Sequence, residues 1–241
     1  MNRFQEILKH PSLYLVGGLL IIGVLVWYNN AQFAESQRLL YATFAKQHEQ
    51  VASIANILSS TRVPDSFAPA IQECEEQGEF DALLGQDSKY MDEETLTRAL
   101  ELHGKCASLF KERMLVSGAL LDNAISTLST TSDLIANNRT KLQAKKIISS
   151  WEKLRTLEGE KLVVYARNIE LQKEFWSIER DKVTGAIPFE TRELEFTVRN
   201  NEARANNARL GELRGKISEQ TKQIKEMWET FSSHYLSLAV K

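Results

Sequence analysis

The chain contains 241 residues, of which 43% are hydrophobic and 26% are charged, and its formal net charge is −2. The ordinary apolar content excludes a disordered chain. The slight negative charge argues against nucleic acid as a partner, since nucleic-acid-binding surfaces are usually basic. The chain has only 4 prolines and 11 glycines, too few turn-forming residues for a sheet of many strands. We therefore predict an all-α protein built from long helices.

An uncharged apolar stretch near the N-terminus predicts a membrane anchor. No formally charged residue lies between Lys9 and Glu35, and residues 12–28 reach the thickness of a bilayer as a helix when their uncharged flanks are included. Aromatic residues lie near both ends of the stretch, where their amphipathic rings suit the membrane interface. The alternative is a cleaved signal peptide, but the stretch is long for one and lacks a small-residue cleavage site.

The basic residues around this stretch predict its orientation. Arg3, Lys9 and the terminal amine precede it, and the first basic residue after it is Arg38. Because positive charge favours the cytoplasmic side, we expect a short cytoplasmic tail over 1–11, a transmembrane helix over 12–28 and the bulk of the chain in a bacterial periplasm. The predicted localisation is therefore the bacterial inner membrane, as a single-pass protein with a cytoplasmic N-terminus.

The prolines divide the remainder of the chain into predicted helical segments. Pro64, Pro69 and Pro188 lie at plausible boundaries, and long stretches without a helix breaker separate them. We expect a single helix to continue from the anchor to about residue 60. The predicted divisions are a juxtamembrane helix over 29–63, a helical hairpin over 64–110 and the long antiparallel helices of a bundle over 92–241.

Heptad spacing of apolar residues predicts how these helices pack. One heptad position is apolar in every repeat from Leu100 to Ile135, and another is apolar from Phe196 to Leu238. Helices of roughly 40–50 residues are about 60–75 Å long. We therefore expect an elongated antiparallel helical bundle or coiled coil, with the juxtamembrane helix as its fourth member.

Residues with capping preferences predict the helix ends. Asp92 is a natural N-cap followed by two glutamates in the first turn. Thr140 and Gln143 form a capping-box pattern for the next helix. Gly185 is a suitable C-terminal glycine, and Pro188 is expected to open the last helix.

Two cysteines predict a disulfide that closes the hairpin. The midpoint between Cys74 and Cys106 is residue 90, inside a predicted loop over 85–91, so two antiparallel helices would bring the cysteines to about the same height. In an oxidising compartment such a pair forms a disulfide, whereas the alternative is two buried free thiols. A metal site that adds His103 is disfavoured, because there is no CxxC pair and no fourth ligand.

The sequence contains no motif of a known catalytic or cofactor site. None of the four histidines lies in an HExxH pattern, and the GxSxG, P-loop and GxGxxG patterns are missing. We therefore expect a protein that is not an enzyme and that has no catalytic residue, no metal and no cofactor.

Candidate interaction residues lie along the last predicted helix. Arg199 and Asn206 occupy a heptad position that is usually apolar, so they could meet another chain, although a solvated helix is the alternative. Further candidate contacts near the C-terminus, which are equally suitable as core residues, are Trp228, Phe231, Tyr235 and Leu238.

These features together predict a structural role at a membrane. We expect a non-enzymatic, membrane-anchored scaffold subunit whose extracytoplasmic helical bundle assembles with copies of itself or with other envelope membrane proteins. The alternative is a sensory or ligand-binding helical bundle that passes a signal to a membrane partner.

Overall fold

The computed structural model of the chain describes residues 11–59, 92–186 and 188–239. These residues form four α-helices and no strand, so the predicted all-α class is confirmed for the described part of the chain. The helices, in chain order, are α1 (Pro11–Ser59), α2 (Glu93–Asp133), α3 (Asn138–Thr184) and α4 (Phe189–Ala239).

The four helices form the predicted antiparallel bundle. Helices α1 and α3 each pack against both α2 and α4. The Gln37 side-chain oxygen accepts a 3.0 Å hydrogen bond from the Ala136 N–H, and Lys161 Nζ donates a 3.3 Å bond to the Leu58 carbonyl. Helix α1 therefore runs parallel to α3 and antiparallel to α2 and α4. The bundle has four described helices as far as the end of α1 and three beyond it.

Most helix ends follow the predicted caps. The Asp92 side chain accepts a 2.8 Å hydrogen bond from the Thr95 N–H, and it thereby satisfies one of the free donors at the start of α2. Gly185 ends α3 with φ of 70°, in the left-handed region that glycine adopts without steric strain. Helix α4 begins directly after Pro188, whose carbonyl accepts a 3.2 Å bond from the Arg192 N–H.

The predicted capping box at the start of α3 is wrong by three residues. The N-cap is Asn137, whose side-chain oxygen accepts 3.0 Å hydrogen bonds from the Arg139 and Thr140 N–H groups. Thr140 is thus the third helical residue and is buried. Asparagine is as good an N-cap as threonine. Here its side-chain oxygen also accepts the hydrogen bond of the Thr140 N–H, which has no acceptor within the helix.

The core follows the heptad positions closely except at one end. Phe196, the first member of the α4 series, is 41% exposed, whereas Phe231 in the same series is 1% exposed. The spacing of the apolar residues therefore predicts which face of the helix is buried, but not how much of each side chain is buried. The buried members of the α2 and α4 series are Met114, Leu121, Leu128, Ile135, Leu210, Ile217, Ile224 and Phe231.

Helix α1 joins two of the predicted divisions into one element. It runs without interruption past the boundary between 12–28 and 29–63, which confirms the single helix expected to reach about residue 60. Among the residues that the structure describes, no helix carries an apolar stretch long enough to cross a membrane, so the predicted span is not supported there.

Most of the predicted hairpin over 64–110 lies outside the described residues, as do its loop and Cys74. The side chain of Cys106 is also outside the described part of the structure. The disulfide between these two cysteines therefore stays a prediction.

Glycine substitutions are expected to have opposite effects within the helices and at a helix end. A Cβ added at Gly211 or Gly215, inside α4, meets no described atom within 4 Å. Alanine is favoured over glycine in a helix interior by about 0.8–1 kcal/mol, so G211A and G215A should each raise the free energy of unfolding by about that amount. G185A should lower it by about 1 kcal/mol, because alanine is strained at φ of 70°. Chemical denaturation followed by circular dichroism measures all three, and a stabilising G185A would contradict the cap.

Candidate functional site

The start of α1 exposes a continuous series of large apolar side chains. The aliphatic and aromatic residues among 19–28 are between 52% and 70% exposed, whereas the first α1 residue in the core is Phe44. We call residues 19–28 the apolar extension. Exposed apolar area of this kind is unfavourable in water by about 25 cal/mol per Å², and contiguous patches mark contact with a membrane or another protein.

A cluster of rings fixes α1 to the rest of the bundle after this extension. The His48 ring on α1 stacks on Trp228 of α4 at 3.7 Å with an interplanar angle of 8°, and it lies 5.5 Å from Trp151 of α3. One turn earlier, Phe44 lies 5.3 Å from Phe231. Aromatic pairs add about 0.5–1.5 kcal/mol beyond their buried area, so this ring cluster holds α1 firmly between α3 and α4.

The central histidine of the ring cluster is a neutral packing group. His48 is 5% exposed, and burial lowers its pKa to about 4. Its Nε2 atom has no hydrogen-bond partner among the described residues. An imidazole that stays neutral at pH 7 and lies inside a bundle is poorly placed for proton transfer with a substrate.

Acid should destabilise the bundle through His48. The folded-state pKa lies below the ordinary value of 6.5, so the unfolded chain binds the proton more tightly, and stability falls as the pH drops from 6.5 towards 4. The loss from this group approaches about 3 kcal/mol. Denaturation at several pH values should show that the free energy of unfolding falls less on acidification in H48F, which keeps a flat ring without a titratable nitrogen. An unchanged pH profile in H48F would contradict this account.

A buried ion pair lies where α1 ends. Glu158 and Lys161 on α3 are 1% and 3% exposed, and their charged groups contact each other. Lys161 Nζ also donates to the Leu58 carbonyl in the last turn of α1. A cation at a helix C-terminus is favourable because of the helix dipole. This pair therefore fixes the end of α1 along α3.

A network of charged side chains joins α3 to α4 in the half of the bundle beyond α1. Arg167 donates bonds of 2.6 and 2.9 Å to both carboxylate oxygens of Glu202, and a further 2.7 Å bond to Glu174. Arg199 donates a 2.9 Å bond to the same Glu174. Hydrogen bonds from Arg167 lower the pKa of Glu202. Arg199, predicted as a contact for another chain, thus pairs within its own chain.

The other predicted contacts on α4 mostly lie inside the bundle. Asn206 is half-buried, and its Nδ2 atom has no hydrogen-bond partner among the described residues. Phe231 and Tyr235 are 1% and 9% exposed, and Trp228 is half-buried against His48. The side chain of Leu238 lies outside the described part. Trp228, Phe231 and Tyr235 therefore contribute to the core of the chain rather than to a free surface.

A groove between α2 and α3 was not predicted from the sequence. It encloses about 350 Å³ and is lined mainly by apolar side chains of both helices. Small residues form its α2 wall, where Gly104, Ala107 and Ser108 leave space beside α3. The signal for this groove in the sequence was the spacing of these small residues, three and four positions apart in one helix. Small residues in a heptad pattern more often indicate close helix packing.

The described residues contain no group of three or more His, Cys, Asp and Glu side chains that could hold a metal ion. Comparison of the chain with protein-family models, with curated proteins and with solved structures finds no match. Inferences about function therefore rest on the geometry of this chain alone.

Proposed function

We propose that this chain is a non-enzymatic, membrane-anchored scaffold subunit whose helical bundle assembles with copies of itself or with other envelope membrane proteins. The observation that carries the proposal is the apolar extension, which is exposed and continues as one helix into the bundle. Exposed apolar side chains at one end of a long bundle are suited to insertion into a membrane. The bundle itself is suited to contacts with partner proteins at a distance from that membrane.

The proposed partner of the apolar extension is lipid hydrocarbon. Residues 12–18, which precede it in α1, are also uncharged, so the whole stretch over 12–28 is available for burial in a bilayer. Trp27 and Tyr28 suit the membrane interface, and Asn29 begins the polar part of the helix. The proposed orientation has the N-terminus in the cytoplasm and the bundle in a bacterial periplasm, where an oxidising environment favours the predicted disulfide.

The rigidity of the connection supports a scaffold. From Tyr28 to Phe44 the helix rises about 24 Å, and the ring cluster then fixes it in the bundle. Helix α3 has 47 residues and is about 70 Å long. Since α1 packs on both α2 and α4, one chain supplies all four helices of the half that α1 reaches, and assembly would use the outer faces of that half.

Charge placed in the apolar extension tests the anchor. The double variant I21R/V24R should release the full-length protein from membranes washed with alkaline carbonate, whereas the natural chain stays in the pellet. Each arginine near the centre of a membrane is unfavourable by about 2.5–3.5 kcal/mol. The matched control is L134R/L194R, which charges two similarly exposed apolar side chains on the bundle and should stay in the pellet. Release of the natural chain, or equal release of both variants, would contradict the anchor.

The assembly part of the proposal has a separate test. The full-length chain is purified in mild detergent, and its mass is measured by light scattering with the detergent contribution subtracted. A defined homo-oligomer, or a fixed stoichiometric complex with another membrane protein, is expected. A monomer at all concentrations, without such a complex, would contradict the scaffold function while leaving the anchor intact.

A second candidate function is favoured by one observation, the groove between α2 and α3. A ligand-binding bundle that signals to a membrane partner requires a cavity of ligand size, and 350 Å³ lies within the common range of about 300–1,000 Å³. A ligand that binds the folded state should raise the melting temperature of the full-length chain.

A further inference from the structure

The groove between α2 and α3 has an apolar half. Met114 and Leu115 of α2 face Leu162 and Val163 of α3 across it. Leu115 and Val163 are 67% and 71% exposed, among the most exposed apolar side chains of the described bundle. Covering these side chains with another apolar group would be favourable, because it removes their surface from water.

Positive charge lines the groove at two places. Lys173 lies at the His103 end and Lys111 lies one turn before Met114, and neither lysine has an ion-pair partner among the residues that the structure describes. Glu170 also lines the groove, but its carboxylate lies 3.5 Å from Arg167 Nη1 and is thus partly neutralised. The ammonium group of Lys173 favours an anionic ligand group at the His103 end of the groove.

A buried polar atom at the Lys173 end of the groove lacks a partner. His103 lines the groove and is only 6% exposed, and its Nδ1 atom has no hydrogen-bond partner among the described residues. Its Nε2 atom lies 3.4 Å from the Gln172 side-chain oxygen. If the Gln172 amide turns to present its N–H to Nε2, the imidazole carries its proton on Nδ1 and can donate it to a ligand oxygen.

We propose that this groove binds an amphiphile with one apolar chain and a carboxylate head. The head lies near His103 and Lys173, where Nδ1 donates a hydrogen bond to a carboxylate oxygen and the Lys173 ammonium group balances the charge. The chain lies along Met114, Leu115 and Val163. From His103 to Leu115 the helix rises about 18 Å, so the groove is long and narrow. Its 350 Å³ is too small for a partner helix, which is about 10–12 Å across.

Photolabelling of the full-length chain tests this site. The probe is a laurate analogue with a diazirine at the end of its chain, applied to the protein in nanodiscs and mapped by mass spectrometry after illumination. We expect label on peptides that contain Met114 and Leu115 or Leu162 and Val163. Unlabelled laurate should compete for this labelling, whereas dodecanol, which lacks the charge, should compete at least about tenfold less well.

Variants with matched controls separate the site from general lipid contact. G104L fills the small-residue wall, where a Cβ meets no described atom within 4 Å, and should abolish labelling of the groove. K173Q should reduce it about tenfold. The controls G211L and K222Q make the same changes on α4 and should leave labelling unchanged. Circular dichroism checks that each variant is folded.

Three results would overturn the proposal. The first is label confined to residues 12–28, which would show only the lipid contact of the apolar extension. The second is groove labelling that a folded G104L leaves unchanged. The third is equal competition by dodecanol and laurate, since the carboxylate would then contribute nothing. Because the groove lies away from the apolar extension, failure of the membrane anchor leaves this proposal standing.

Discussion

Replacing Lys161 by methionine is expected to lower the free energy of unfolding by about 3–5 kcal/mol, because it leaves the Glu158 carboxylate buried without its partner. The same change removes the donor to the Leu58 carbonyl at the end of α1. Urea denaturation of the full-length chain in mild detergent, followed by circular dichroism, measures the loss. A double variant, E158L/K161M, should recover most of it, since an apolar pair of similar volume replaces both charges.

The pH dependence of K161M distinguishes a buried charge from lost packing. Burial raises the pKa of Glu158 above its ordinary value of 4.5 even in the natural chain. A raised folded-state pKa favours the folded state below the ordinary pKa and loses that advantage as the pH rises through the folded-state pKa. Removing the lysine raises the pKa further, so the deficit of K161M should be largest at neutral pH and shrink on acidification. A deficit independent of pH, with no recovery in the double variant, would contradict the ion-pair explanation.

The second large effect is expected in the ring cluster. F231A should lower the free energy of unfolding by about 3–5 kcal/mol, because it leaves a cavity beside Phe44, Trp228 and Tyr235 in a region that is almost fully buried. The same denaturation experiment measures this loss. Loosening of α1 should accompany it, seen as faster hydrogen exchange in residues 41–58 than in α3.

The matched control for F231A is F196A. Both phenylalanines occupy the same heptad position of α4, but Phe196 is 41% exposed and contacts Phe175 with ring centroids 5.2 Å apart. Its loss should be about 1 kcal/mol, since much of the ring already faces water. Equal losses for the two variants would contradict this explanation. They would mean that heptad position, rather than burial in the four-helix half, determines how much each phenylalanine contributes to the free energy of unfolding.

Helix content and most helix ends could be predicted because they depend on local chemistry. Asp92 caps α2 with its own side chain, and Gly185 ends α3 because its conformation suits a residue without a Cβ. The error at Thr140 has the same local origin, since Asn137 is an equally good cap three residues earlier. Two competing caps this close together cannot be ranked from sequence spacing alone.

The candidate contacts could not be assigned from the sequence, because a heptad pattern is the same whether the partner helix belongs to the same chain or to another. Arg199 pairs with Glu174, and Phe231 with Phe44, only because α3 and α1 of the same chain lie beside α4. The groove between α2 and α3 was missed for a related reason. Gly104 and Ala107 can mark either close packing or empty space, and the position of the facing helix decides between them.

The all-helical class could be predicted from the sequence, as could the continuous first helix, the apolar faces and most of the caps, since each of these follows from residues within a few turns of one another. The sequence could not show that one chain supplies all four helices of the half that α1 reaches, that Glu158 and Lys161 are buried together, or that His48 stacks on Trp228 beside Trp151. These features join residues far apart in the chain, and burial and electrostatics depend on which surfaces meet.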